Sequence, residues 1–147
     1  LAFRVATEKD ISLLEEFIEQ AFLDSKYIGL LSEYKETEGI SKYFVDPTTL
    51  NIRTGIIKTV DDVDIGCALF EVLPSYFGNN YIARIVAVYL KPDFRGKGYM
   101  KEILDAFEYW GKLVGCKYYH VGVSRDNVDL VNRDYVKFET MFMKEIK

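Results

Sequence analysis

The 147 residues are 49% hydrophobic and 15% aromatic, carry a formal net charge of -4 at pH 7 and have a pI near 5.1. There is apolar content enough for a core, and the charge argues against a general nucleic-acid surface. No run of like charge forms a tail, no apolar run reaches the roughly 18 residues of a membrane span, and nothing in the first residues reads as a signal peptide. Residues 1–147 are expected to form one cytoplasmic domain, large enough to bury about 68 to 70% of its unfolded surface.

Residues 1–6 read as a short strand. Thr7-Glu8-Lys9-Asp10 has the spacing of a capping box, and the helix it opens places Ile11, Leu14, Phe17, Ile18, Ala21 and Phe22 on one face. A second helical region, 25–44, is expected to break at Gly39 and to end before Pro47. Residues 50–60 and 64–73 read as antiparallel strands joined by Asp61-Asp62-Val63. The following loop carries Tyr76 and Phe77 at its tip, either a binding or dimer surface or a lid over the core.

Residues 81–90 are β-branched and aromatic and stop before Pro92, which reads as a buried strand. The turn Arg95-Gly96-Lys97-Gly98 follows, and then Tyr99, Met100, Ile103, Leu104, Phe107, Trp110 and Val114 recur at helical steps until Gly115. Glu108 and Lys112 stand in the order that supports a helix. A helix starting here aims its unpaired amides and positive dipole end into the turn. Gly96 and Gly98 leave its backbone uncovered, so the stretch can cradle a phosphate. The alternative is an ordinary strand-to-helix turn with two solvated cations. A P-loop needs Gly-Lys-Ser/Thr, and a dinucleotide fingerprint needs a small residue where Lys101 stands; neither is present.

Residues 117–124 read as a further strand containing His120, the only histidine. One imidazole without partner ligands makes no metal site; it is a structural or pocket residue, or a proton acceptor. Cys67 and Cys116 have no spacing partner and read as reduced core thiols.

A strand, a short loop and then Arg95-Gly96-Lys97-Gly98-Tyr99-Met100 opening an amphipathic helix resembles the coenzyme A motif, Arg-x-x-Gly-x-(Gly/Ala), of the GNAT superfamily of N-acetyltransferases. Arg95 and Gly98 match; Met100 departs from the small residue usual there. The resemblance implies an α/β fold with a mixed, mostly antiparallel central sheet flanked by helices. It also implies acetyl-coenzyme A as co-substrate, no metal, and transfer of the acetyl group to a small-molecule or protein amine by direct attack. The alternative is a coenzyme A-binding module with weak or lost catalysis. Val88, Tyr89 and Leu90 on the strand, Arg95 to Met100, and Asn127 become candidate coenzyme contacts. The first two helices would wall the acceptor pocket, which makes Tyr27 a candidate acceptor contact; Tyr34 and Tyr43 lie on the same region.

Relatives often carry a glutamate base on the central strand and a tyrosine acid on a late helix before a Gly-Phe turn. Here the glutamate position falls at Arg84, which cannot be a base but is a candidate to hold an acidic group of the acceptor; Glu71 is the nearest alternative base. If Asp134-Tyr135 replaces Gly-Phe before a strand over 136–146, the acid position falls at Leu130. The other register makes Tyr135 the acid. The leaving thiol, with a pKa near 8.5, departs without a dedicated acid more readily than a lysine-like amine (pKa about 10.4) gives up its proton, which costs about 4.6 kcal/mol at pH 7. A homodimer through the C-terminal strand or the Tyr76-Phe77 loop is a further expectation.

Overall fold

Asp61 and Asp62 both adopt positive φ, +49° and +63°, the signature of a two-residue hairpin turn whose twist matches its strands. That turn organises the first half of the sheet. A computed structural model of the chain describes residues 3–24, 38–75, 78–122, 130, 132–137, 144 and 146. Within them a five-stranded sheet runs in chain order: β1 (Phe3–Val5), β2 (Arg53–Val60), β3 (Val63–Pro74), β4 (Tyr81–Leu90) and β5 (Tyr118–His120). Every pairing is antiparallel except β4 with β5, which is parallel. The hairpin turn is one residue shorter than the sequence implies, and β2 begins three residues later, because a 3-10 turn at Pro47–Thr49 occupies the approach.

Period-two alternation sends the strands' side chains to two cores. On one face Ile57, Cys67, Leu69 and Tyr89 pack with Leu14 and Phe17 of α1 (Ile11–Leu23) and with Phe44, just past α2 (Glu38–Tyr43). On the other, Ile56, Ala68, Phe70 and Ala83 meet Ile103 and Phe107 of α3 (Tyr99–Leu113). α2 begins at Glu38, so Gly39 stands in its first turn. The rest of the expected second helical region, with Tyr27 and Tyr34, lies outside the described residues. So do Tyr76, Phe77, Asn127 and most of the expected C-terminal strand; Val136 and Lys137, at its start, are not in strand conformation.

Lys58 is buried on the α3 face, its ammonium 2.7 Å from Glu102 and over the rings of Phe3 and Tyr99. This pins the first turn of α3 to the sheet. Glu108 turns to Arg133, Nη2 to Oε2 2.5 Å, rather than serving the expected pair with Lys112.

The start of α1 rests on Asp10. Its Oδ2 accepts from the Thr7 amide at 2.8 Å, as in a capping box, and from Arg4 Nη1 at 2.9 Å. Burial pushes the Asp10 carboxyl up, but the bonds from Arg4 and Thr7 outweigh it and hold it below the usual range. A depressed folded-state value contributes stability above the unfolded pKa of about 3.9 and loses it as pH falls through the folded value. Asp10→Asn is therefore expected to cost about 1 to 3 kcal/mol at pH 7. In denaturant titrations the gap between wild type and variant should close below about pH 4; a gap constant with pH would remove the carboxylate from this role.

Candidate active site

Pro92 ends β4 by forcing a 3-10 turn, Pro92–Phe94, after which Arg95 is extended and Gly96 and Gly98 take φ of +73° and +87°. Those left-handed angles suit glycine and bring the chain into α3 within a few residues. Gly98 caps α3 with no side chain, so the first amides of the helix lack an intrahelical partner and face outward. A Cβ at Gly96 or Gly98 would meet nothing within 4 Å. The glycines are thus required by conformation, and the space beside them is open.

That space is a cavity of about 590 Å³. Its walls are Ala21 and Asp24 at the end of α1, Val88, Tyr89 and Leu90 of β4, the turn residues Arg95, Gly96 and Gly98, and Met100 and Lys101 of α3. Most of the coenzyme candidates from the sequence converge here. Of the described candidates two do not: Lys97 lies over the Phe94 ring at 5.6 Å and Tyr99 turns toward Lys58 and Phe94. The sequence reading missed Ala21, Asp24 and Lys101. Arg95 links the walls, its Nε donating to the Leu90 carbonyl at 2.8 Å, its Nη2 to Asp24 at 2.9 Å, and its guanidinium lying over Tyr89. The Arg95–Asp24 pair is nearly half exposed and contributes little to stability. An anion arriving at the turn competes with Asp24 for the same guanidinium.

From the cavity β4 runs back along an open edge. β4 and β5 are paired only through Ile82–Tyr118, Ala83–Tyr119 and Arg84–His120. From Ile85 to Leu90, roughly 17 Å of strand, the β5-side edge of β4 has no strand neighbour among the described residues. The register with β3 slips at the same place, Leu69 opposing Ala87 and Phe70 opposing Ile85, so Val86 is the extra residue of a bulge. The cleft therefore starts at the glycine turn and closes at the Arg84–His120 pair.

At its closed end the structure brings together residues that the sequence presents far apart. Arg53 opposes Glu71, Glu71 opposes Arg84, and Arg84 opposes His120. Opposed residues share a face, so the four make one polar row across β2, β3, β4 and β5, on the α1 and α2 side. Arg84 Nη2 makes a short contact with Glu71 Oε1, and Arg53 Nε is 4.0 Å from Oε2. The Glu71 side chain is 13% exposed, against 42% and 41% for Arg84 and Arg53. Arg84 Nε is out of solvent and without a hydrogen-bond partner among the described residues. Tyr43, exposed at the end of α2, places its ring beside Arg53, 5.7 Å from the guanidinium carbon.

The C-terminal stretch departs from this centre. Asp134 takes φ +66°, and the Tyr135 amide donates to the Leu130 carbonyl at 3.0 Å, a turn of the shape expected where Asp134-Tyr135 replaces Gly-Phe. Leu130 is buried and has no proton to give. The Tyr135 ring lies 6.5 Å from that of Tyr119, and burial, then the Glu108 carboxylate, push its hydroxyl well above the ordinary range. Glu108 stands seven residues, roughly 10 Å along α3, from Lys101 at the cavity, which places Tyr135 on the flank of α3. Both cysteines are free thiols, and burial pushes Cys67 up to about 12. Among the described residues no group of His, Cys, Asp and Glu is placed to hold a metal, and no helix is long and apolar enough to cross a membrane.

Residues 30–132 match the family model described as Acetyltransferase (GNAT) family. No curated protein sequence matches. Among solved structures the fold is similar to that of a GNAT family acetyltransferase from Staphylococcus aureus (TM-score 0.70, 19% identity, 98% of this chain and 97% of that one). It is similar also to a ribosomal-protein-alanine N-acetyltransferase from Brucella melitensis (0.67, 13%, 99% and 96%). A third is AAC(6')-Iy in complex with the bisubstrate analogue CoA-S-monomethyl-acetylneamine (0.70, 16%, 99% and 97%).

Proposed function

The chain belongs to the acetyltransferase (GNAT) family, and from that premise we propose that it transfers an acetyl group from acetyl-coenzyme A to an amine by direct attack. The observation that carries the reading is the cleft itself: an anion-binding glycine turn at one end, a polar row at the other, and an open strand edge between them. The amides after Gly98, with Arg95 and Lys101, hold the pyrophosphate. The pantetheine arm lies along β4 from Leu90 toward Ile85, and the thioester reaches the neighbourhood of Val86 and Arg84. A backbone amide of β4 at the bulge around Val86 faces the developing oxyanion.

In this mechanism the acceptor ammonium gives a proton to Glu71, directly or through a water; its nitrogen attacks the thioester carbon, the C–N bond forms and the C–S bond breaks. The attacking nitrogen loses its second proton to solvent as the tetrahedral intermediate collapses, and the departing thiolate takes up a proton from solvent, since Leu130 offers none and Tyr135 is turned to the flank of α3. A route through an acyl-cysteine is disfavoured by the burial of Cys67, which keeps its thiol protonated at neutral pH. The ribosomal-protein-alanine N-acetyltransferase and the acetylneamine part of the bisubstrate analogue bound to AAC(6')-Iy support the amine as nucleophile. A second reading, a coenzyme A-binding module with weak catalysis, is favoured by the apolar Leu130 and by Arg84 occupying Glu71 Oε1.

Calorimetric titration with acetyl-coenzyme A, followed by thiol release with a panel of amines, separates them. Binding with turnover supports the first reading, binding without turnover the second, and no binding removes both. Glu71→Gln is expected to lower kcat about 100-fold, at the lower end of general-base effects, with acetyl-coenzyme A affinity unchanged; an unaltered kcat would take Glu71 out of the proton path.

A further inference from the structure

The row at the closed end of the cleft carries an alternating pattern of charge. Arg53, Glu71 and Arg84 oppose one another in order across three strands, two guanidiniums flanking one carboxylate. A surplus of positive charge at an acceptor site repels an acceptor with several cationic groups, because like charges brought together out of water are costly. The same surplus attracts an acceptor that brings an anion along with its amine.

Among the described residues the donors needed for that anion are not used up. Arg84 spends one Nη on Glu71, while its Nε is shielded from water and unpaired among the described residues. The Arg84 side chain as a whole is 42% exposed, so the outer N–H groups of its guanidinium remain open to an acceptor oxygen. Arg53 is 4.0 Å from Glu71, too far for a hydrogen bond, and its side chain is 41% exposed. Its fork is held beside the Tyr43 ring. Planar guanidinium forks with free N–H groups match a carboxylate in geometry as well as charge.

We propose that Arg53 and Arg84 bind a carboxylate carried by the acceptor, so that the substrate is a small amine of amino-acid type whose ammonium faces Glu71. This rests on the acetyl-transfer reading and narrows its acceptor. The zwitterion and the row are then complementary, anion to guanidinium and ammonium to carboxylate. Tyr43 forms the side wall, and Arg84 anchors the acceptor beside the end of the cleft where the thioester arrives.

The test compares kcat/KM, at saturating acetyl-coenzyme A, for α-, β- and γ-amino acids and dipeptides with the matched C-terminal amides and with the polyamine neamine. Carboxylate-bearing acceptors are expected to be preferred over their amides by about 10- to 100-fold, the worth of a hydrogen bond to a charged group. Arg53→Gln is expected to erase at least tenfold of that preference through the acceptor KM, leaving the KM for acetyl-coenzyme A unchanged. A purely structural Arg53 would instead lower stability without changing the acid-to-amide ratio, so thermal unfolding is followed alongside. Acetyl-coenzyme A binding with equal use of acids and amides, with preference for neamine, or with no use of any carboxylate-bearing amine overturns the acceptor assignment and leaves the family reaction standing. A preference that survives in both Arg53→Gln and Arg84→Gln overturns it too. Failure to bind acetyl-coenzyme A removes the reaction and the acceptor together.

Discussion

Gly98→Asp is expected to weaken acetyl-coenzyme A binding by at least about 100-fold, measured by calorimetry on the folded variant. Gly98 sits at φ +87° and caps α3 with no side chain, so the first helical amides are free for a phosphate. Each charge-assisted hydrogen bond there is worth about 1.5 to 3 kcal/mol, and losing two corresponds to roughly 10² to 10⁴ in affinity. The new carboxylate would compete for those amides as a cap and would repel the pyrophosphate besides. The left-handed backbone costs an aspartate about 1 kcal/mol, so the variant should fold. Gly98→Asn separates the contributions, carrying a similar backbone strain and bulk without the charge; it should bind more tightly than the aspartate variant. An aspartate variant that binds like the wild type would show that the coenzyme is anchored elsewhere.

Gly66→Ala is expected to be the most damaging of small substitutions, costing about 3 kcal/mol or more. A Cβ at Gly66 would stand 2.2 Å from the Tyr89 carbonyl oxygen and 3.1 Å from the Leu90 Cα. These are backbone atoms of the neighbouring strand, so β3 and β4 must separate to admit one methyl group. Gly111 shows the contrast. There the nearest atom to an added Cβ is the Tyr119 ring at 2.6 Å, and a ring can turn, so Gly111→Ala should cost less. Because Tyr89 and Leu90 line the cavity, a Gly66→Ala protein that folds at low temperature should also bind acetyl-coenzyme A less well. Denaturant unfolding of the two alanine variants checks the order; equal losses would mean that the β3–β4 contact yields more readily than its geometry implies.

The glycine turn and its helix were legible in the sequence because they are local: strand, Pro92, Gly96, Gly98 and the apolar steps of α3 lie within a few tens of residues. Composition and periodicity likewise gave β4 its bounds. What sequence order concealed was lateral neighbourhood. Glu71 and Arg84 entered as separate candidates, one for a base and one for an acidic group, yet they are bonded to each other. Arg53 drew no notice, since nothing local distinguishes a strand-start arginine from a solvated one. Asp24 belongs to the cavity at the glycine turn through an arginine 71 positions away.

The β5-side edge of β4 from Ile85 to Leu90, without a strand neighbour among the described residues, bears on how the protein associates with itself. A strand edge with unsatisfied amides and carbonyls is a template on which another chain can pair, and sheet proteins guard such edges with charge, bulges or a cover. Here the bulge at Val86 and the capping of the Leu90 carbonyl by Arg95 guard its two ends, while the stretch between them has no strand neighbour among the described residues. A ligand bound as proposed would cover this stretch as well, so self-association during expression or storage is expected to fall as acetyl-coenzyme A is supplied.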